Sequence, residues 1–187
     1  MFFDFGGVIL SSPFEAFNHY EAAQGLPANF IRSVNSVNPD DNAWAKLERS
    51  DISPIEFDEV FARESEALGH RVPGADVLSL LHGEIRPDMV HALDRINEAG
   101  YVLACLTNNV LSDQPVAVNA ADRLRQDELR AVLARFSAVI ESSKVGVRKP
   151  ETRFYEIACE TVNVQPDECV FLDDLGINLK PAAAMGM

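Results

Sequence analysis

The sequence predicts an α/β fold: a parallel sheet with helices on both faces, interrupted after its first strand by an all-helical insertion. Three observations lead there. Short apolar runs of strand length recur at the start of residues 2–9 and at residues 101–106, 138–140 and 169–172, and continuous runs of this kind suit parallel strands covered on both faces. The later runs are separated by stretches with apolar residues at helical spacing, the alternation expected of βαβ units. Between the first run and the second, about 75 residues carry helical signals alone.

Residues 2–9, FFDFGGVI, begin as a strand that ends at Asp4 and breaks at Gly6-Gly7. The insertion, residues 11–85, opens with Ser12-Pro13-Phe14-Glu15. Ser53-Pro54-Ile55-Glu56 repeats that pattern, which reads as a capping box with Pro at the first helical position. Gly25 and Gly69 are placed to close the two helices. Phe57, Val60, Phe61 and Leu68 share one face of the second, and Trp44 with Leu47 marks a short amphipathic segment between them. Pro87 then opens a helix bearing Met89, Val90, Leu93 and Ile96 on one side, with Gly100 at its end. YVLACL, residues 101–106, follows as a buried strand. A helix over about 121–136 precedes strand 138–140, another over about 151–162 precedes strand 169–172, and a last helix begins near Asn178. The two domains are therefore an α/β core (1–10 and 86–187) and a helical insertion (11–85).

Composition narrows the function classes. Of 187 residues, 47% are apolar and 24% charged, the balance of a globular protein, and no apolar run reaches the roughly 18 residues of a membrane span. The N-terminus lacks the basic and small-residue signature of a signal peptide, so a cytoplasmic location is expected. Cys105, Cys159 and Cys169 form no CxxC pair and read as reduced core residues. His19, His70, His82 and His91 show no metal-ligand spacing. Sixteen Lys plus Arg against 29 Asp plus Glu give a net charge of −13, which repels nucleic acid and anionic membrane. A phosphate ligand would need a local site to overcome that field.

Such a site is legible at the strand ends. In an open parallel sheet, ligands bind beyond the carboxyl ends of the strands. There the sequence places Asp4, then Thr107-Asn108-Asn109, then Glu141-Ser142-Ser143 leading to Lys149, then Asp173-Asp174. A carboxylate, a hydroxyl, a lysine and a pair of acids are the parts that hold a phosphoryl group beside a divalent cation.

In this order the residues resemble the four motifs of the haloacid dehalogenase superfamily, and most nearly the phosphatase-like N-terminal domain of soluble epoxide hydrolases. FFDFGGVI is similar to motif I, LTNN to motif II, SSKVGVRKPETRFY to motif III and VFLDDLGINLKPAAAMGM to motif IV. The resemblance covers nearly the whole chain. It implies a Rossmann-like core and makes the insertion a cap that closes over the site and sets substrate choice. It also implies a magnesium-dependent phosphatase acting on a small phosphorylated substrate, as a monomer or homodimer. Asp4 would be the nucleophile that forms an aspartyl-phosphate. Mg²⁺ would be held by Asp4, the Gly6 carbonyl, Asp174 and, directly or through water, Asp173. Thr107, Asn108 and Lys149 would bind the phosphoryl oxygens, and Lys149 would also stabilise charge during the reaction.

The chain departs from the superfamily pattern at Gly6. Phosphatases of this kind usually carry a second Asp two residues after the nucleophile, as general acid and base, and Gly6 supplies only a carbonyl. Relatives also usually add a strand and helix after motif IV, so either the sequence is trimmed or one sheet edge is open. Three readings stay open: a phosphatase, a phosphate-binding or regulatory protein with little turnover, and a dehalogenase, which would not need the metal. A divalent-ion requirement separates the first from the last, and measurable turnover separates the first from the second.

Overall fold

The structure is a computed structural model that describes residues 1–81, 83–108 and 120–187. His82 and Asn109 lie outside the described residues. The chain divides into two compact units, Met1–Ser11 with Glu84–Met187, and Ser12–Gly83. In chain order the elements are β1 (Phe2–Phe3), then α1 (Pro13–Gln24), α2 (Phe30–Ser36), α3 (Ala43–Glu48), α4 (Pro54–Ala67) and α5 (Gly74–Ser79), which make up the second unit. The first unit resumes with α6 (Pro87–Glu98), β2 (Ala104–Thr107), α7 (Ala120–Leu133), β3 (Ala138–Glu141), α8 (Ser142–Val145), α9 (Thr152–Val162), β4 (Phe171–Leu172) and α10 (Gly176–Ala184).

All strand pairs are parallel, in the order β3-β2-β1-β4. The register sets Phe2 beside Ala104 and Phe171, and Phe3 beside Cys105 and Leu172. Because side chains alternate across a strand, these neighbours divide between the faces. Phe2, Ala104, Leu106 and Ile140 pack with Phe154, Tyr155 and Ala158 of α9 and Ala182 of α10. Phe3, Leu103 and Cys105 pack on the other face with Leu93 of α6, Val132 of α7 and Phe136. Both phenylalanines are essentially fully buried, each worth roughly 1.5–3 kcal/mol of burial, so a two-residue strand anchors both layers. The α/β fold with helices on both faces is the one that the alternation of elements predicts. All three cysteines are free and buried.

Local signals succeed unevenly. Ser53 forms the expected capping box, its hydroxyl accepting from the Glu56 N–H while the Glu56 carboxylate accepts from the Ser53 N–H. Ser12 does not: it precedes α1 without a side-chain cap, and its hydroxyl oxygen is buried without a hydrogen bond. The preceding residue explains why. Ser11 donates its N–H to the Glu84 carbonyl at 2.7 Å, its hydroxyl accepts from the Glu84 N–H at 2.9 Å, and Leu10 bridges Ile85. The approach to α1 is set by that tie, not by a cap. The second strand also differs from expectation. It begins at Ala104, where its ladders with both β1 and β3 begin, and Tyr101 and Val102 before it are exposed. The last strand spans only Phe171–Leu172 of the apolar run 169–172, the two residues in register with β1, although the Val170 carbonyl still accepts from the Phe2 N–H.

Candidate active site

β1 lies between β2, which follows it in sequence, and β4, which closes the sheet on the other side. The crevice of an open α/β sheet forms where connections depart to opposite sides, so residues just past β1, β2 and β4 converge there. Asp4 immediately follows β1, with its N–H donated to the Leu172 carbonyl at 2.8 Å, and Asp173 and Asp174 immediately follow β4. Thr107 ends β2, half-buried, in register with Glu141. Lys149 comes from the turn between α8 and α9.

Lys149 organises the site. It is 1% exposed, and its Nζ lies 2.8 Å from Asp4 Oδ1 and 2.7 Å from Asp173 Oδ2. Asn108 fixes its backbone through two complementary bonds. The Asn108 side-chain amide donates to the Lys149 carbonyl, and its Oδ1 accepts the Lys149 N–H, both at 2.9 Å. The motif II asparagine thus uses its side chain to position the lysine.

The paired acids have different surroundings. The Asp173 side chain is wholly buried and accepts from Lys149 Nζ, from the Leu175 N–H at 2.9 Å and from Asn178 Nδ2 at 3.0 and 3.1 Å. That many donors make it the anchor for Lys149. Asp174 is exposed, and its carboxylate fills the space left by the missing side chain of Gly7: a Cβ there would stand 2.2 Å from Asp174 Oδ2. Gly7 also holds φ +77°, a conformation that L side chains rarely adopt. Gly6 is unconstrained by comparison, with φ −70°, ψ 135° and no atom within 4 Å of where a Cβ would sit.

Oxygen atoms of Asp4, Asp173 and Asp174 lie within 4.8 Å of one another. Three carboxylates facing one lysine leave negative charge uncompensated. Burial pushes the Asp4 carboxyl up to about 6, against the pull of Lys149 and with a further push from Asp173. Although Asp174 is exposed as a whole residue, partial desolvation of its carboxylate, and secondarily Asp173, raise it too, while Lys149 and Arg86 oppose the rise. A hard divalent cation would relieve both groups at once. Beside Asp174 lies a cavity of about 310 Å³ with Arg86 at its rim and Val8, Met89, Phe171 and Leu179 in its walls.

Asp4, Lys149, Asp173 and Asp174, all candidates from sequence, are therefore brought together. Two supporting residues escape sequence reading. Asn178, 4% exposed, holds Asp173, and its own carbonyl accepts from the buried Tyr155 hydroxyl at 2.7 Å. An Asn five residues after an acid and a Tyr six after a lysine carry no pattern that would single them out.

A family model described as a haloacid dehalogenase-like hydrolase matches residues 1–186. The chain belongs to that family. This haloacid dehalogenase-like hydrolase is 32% identical over 190 residues to mouse acyl-CoA dehydrogenase family member 10 and 30% identical over 196 residues to mouse bifunctional epoxide hydrolase 2. Each match takes in 99% of this chain, which spans only 17% and 34% of those relatives' lengths. A phosphatase of Mycobacterium tuberculosis is 29% identical, with 99% of this chain and 82% of that protein matched. Among solved structures, a haloacid dehalogenase-family enzyme of Bacteroides thetaiotaomicron in complex with magnesium and inorganic phosphate is similar at a TM-score of 0.60 and 20% identity, covering 100% of this chain and 89% of that one. At that identity the likeness shows the fold. No described helix of this hydrolase is long and apolar enough to cross a membrane.

If Gly7 makes room for Asp174, Gly7→Ala displaces that carboxylate and weakens divalent-cation binding by tenfold or more, roughly the scale of disturbing a ligand's support. Calorimetric titration with Mg²⁺ measures this, and parent-like affinity in a folded Gly7→Ala protein would remove Gly7 from the argument.

Proposed function

We propose that the chain is a magnesium-dependent phosphatase that transfers the phosphoryl group of a small phosphorylated metabolite to Asp4 and then to water. The observation that carries this reading is the placement of Lys149 Nζ between Asp4 and Asp173, with Asp174 left open beside Gly7. The all-oxygen donor set and the cradle at Gly7 fit Mg²⁺, with Asp4, Asp174 and the Gly6 carbonyl as ligands and Asp173 supporting from behind. When bound, the ion neutralises the nucleophile and the phosphoryl oxygens. Asp4 attacks phosphorus, and the resulting aspartyl-phosphate divides one hard displacement into two easier ones. Lys149, held by Asn108 and Asp173, offers a fixed positive charge to the phosphoryl oxygens in a chain otherwise at −13, and Thr107 donates its hydroxyl to one of them. The unit Ser12–Gly83 serves as the substrate-selecting cap.

The M. tuberculosis relative, named a phosphatase and matched over most of its length, supports this reading, as does a fold-mate described with magnesium and phosphate. One observation favours a phosphate-binding protein of low turnover instead: Gly6 stands where an acid/base would be useful, and the space at its Cβ position is empty. Hydrolysis of p-nitrophenyl phosphate with and without Mg²⁺ decides between the readings. Ion-dependent turnover supports the phosphatase, and phosphate binding without turnover supports the alternative.

Two properties of the cation site follow. Mg²⁺ raises the Tm of the parent, because it binds only the folded arrangement, and Asp174→Ala removes that rise. The affinity also depends on pH with a definite sign. Asp4 keeps its proton up to about pH 6, and the ion needs the carboxylate, so binding releases a proton below that pH. Affinity should fall about tenfold per unit below pH 6 and level off above 7. Titrations at pH 5, 6, 7 and 8 check this, and a flat profile would contradict the upward shift of the Asp4 carboxyl.

A further inference from the structure

We propose that this site is built for acyl phosphates, the mixed anhydrides of phosphoric acid with a small carboxylic acid, an inference that rests on the phosphatase reading above. The reasoning starts from the leaving group. An alkoxide departing from phosphorus must be given a proton, and a positioned general acid for that purpose contributes about 10²- to 10⁴-fold. A carboxylate, with a pKa of about 4, leaves as the anion and needs none.

Among the described residues of the sheet-bearing unit, the titratable groups near Asp4 are already engaged. Lys149 donates to Asp4 and Asp173 and is 1% exposed. Asp173 accepts hydrogen bonds from Lys149, the Leu175 N–H and Asn178. The buried Tyr155 hydroxyl donates to the Asn178 carbonyl. Cys105 is buried within the sheet, and Glu141 pairs with Lys144. Asp174 belongs to the cation site. Position 6, two residues beyond the nucleophile, is a glycine in ordinary extended backbone with open space where a side chain would project. The backbone there would accept a carboxylate without strain, and the sequence does not place one.

The chemistry then balances without an acid. The Asp4 carboxylate attacks phosphorus, the bond from phosphorus to the acyl oxygen breaks, and its electron pair departs with the carboxylate product. One acyl phosphate has been exchanged for another, because aspartyl-phosphate is itself a carboxylic–phosphoric anhydride, so the step is close to isoenergetic. Water then attacks phosphorus and the Asp4 oxygen leaves as carboxylate; one proton of the water stays on the attacking oxygen, the other passes to a phosphoryl oxygen, and dihydrogen phosphate is released. The net charge of −13 favours a dianionic acyl phosphate over the more highly charged pyrophosphate, the other common anhydride. The apolar walls of the cavity beside Asp174, Val8, Met89, Phe171 and Leu179, suit a small organic acyl group.

The test compares kcat/KM in Mg²⁺ for acetyl phosphate, pyrophosphate, glycerol 3-phosphate and a series of aryl phosphates of graded leaving-group basicity, each measured over an Asp4→Asn background. In the parent protein, acetyl phosphate should exceed glycerol 3-phosphate by about 10²-fold or more, and the aryl series should fall steeply as the leaving group becomes more basic. Gly6→Asp, checked for an unchanged melting curve and for Mg²⁺ binding, should raise the ratio of the glycerol 3-phosphate rate to the acetyl phosphate rate by about 10²-fold and flatten the aryl series. A flat aryl series in the parent, or glycerol 3-phosphate cleaved as fast as acetyl phosphate, would mean that an acid is supplied elsewhere, and the inference would fall while the phosphatase reading stood. Pyrophosphate outrunning acetyl phosphate would also overturn it. Failure to cleave any of these compounds, with no phosphorylated Asp4 in the intact-mass spectrum, would overturn both.

Discussion

Asp4→Asn should abolish the proposed hydrolysis, by at least about 10⁴-fold, and leave the fold intact. An amide is nearly isosteric with a carboxylate but is a very poor nucleophile, so the covalent route closes without a change of shape. Its oxygen can still accept from the Phe5 N–H, which lies 2.6 Å from Oδ1 in the parent, and from Lys149. The stability consequence has a sign that is opposite to the usual loss of an ion pair. Burial disfavours the Asp4 carboxylate more than Lys149 favours it, and this net effect raises its pKa to about 6. A carboxyl raised in the folded state contributes stability that is full below its unfolded value near 4 and is lost as pH rises through 6. The neutral amide escapes that loss. The metal-free variant should therefore be at least as stable as the parent at pH 7.5, with the difference narrowing at pH 5. Melting curves at both pH values, together with turnover of an aryl phosphate, check both halves. A folded variant with parental turnover would end the covalent mechanism.

Lys149→Met should be the most destabilising single change at the site, costing about 3–5 kcal/mol at pH 7.5, because removing one partner from a buried ion cluster leaves uncompensated charge. Methionine fills a similar volume, so little of the loss is cavity. What remains is Asp4 and Asp173 facing each other without the cation between them, 2.8 and 2.7 Å from which they now sit. Asp173 keeps Asn178 and the Leu175 N–H, but among the described residues Asp4 keeps only the Phe5 N–H as a side-chain partner. The Asp4 carboxyl, already pushed up by burial, then loses the pull of Lys149 and titrates higher still. By the same linkage, the deficit shrinks as acid protonates it and is largest at neutral pH and above. Urea unfolding at pH 7.5 and 5 measures the difference, and millimolar Mg²⁺ should restore part of it by returning positive charge near Asp4. A variant within about 1 kcal/mol of the parent at both pH values would show that Lys149 is not the charge that holds the cluster, since that is the ceiling for an exposed pair.

How much of this was legible beforehand depends on how far each feature reaches along the chain. The apolar runs located all four strands, and the Ser53-Pro54-Ile55-Glu56 box and Gly25, with φ +68°, marked helix ends correctly, because each is settled within one helical turn. The same local logic failed at Ser12, where a tie between Ser11 and Glu84, 73 residues apart, sets the chain's direction. Its reach was also too short for the strand boundaries, since β2 begins where its ladders with β1 and β3 begin and not where the apolar run begins.

The site divides along the same line. Sequence by itself determined which chemical groups end the strands: Asp4, Thr107, Asp173 and Asp174 follow apolar runs, and Lys149 precedes a helix. Tertiary structure decided what each group does with its neighbours. Asp173 and Asp174 are adjacent and chemically identical, yet one is buried under Lys149, 24 residues away, while the other occupies the space that Gly7 leaves open. Asn108 turns to the backbone of Lys149, 41 residues away, and Asn178 and Tyr155 enter through helices that pack on one face of the sheet. A hydrogen bond forms only at contact distance, and contact between residues so far apart in sequence is fixed by the strand order β3-β2-β1-β4, which no local periodicity encodes.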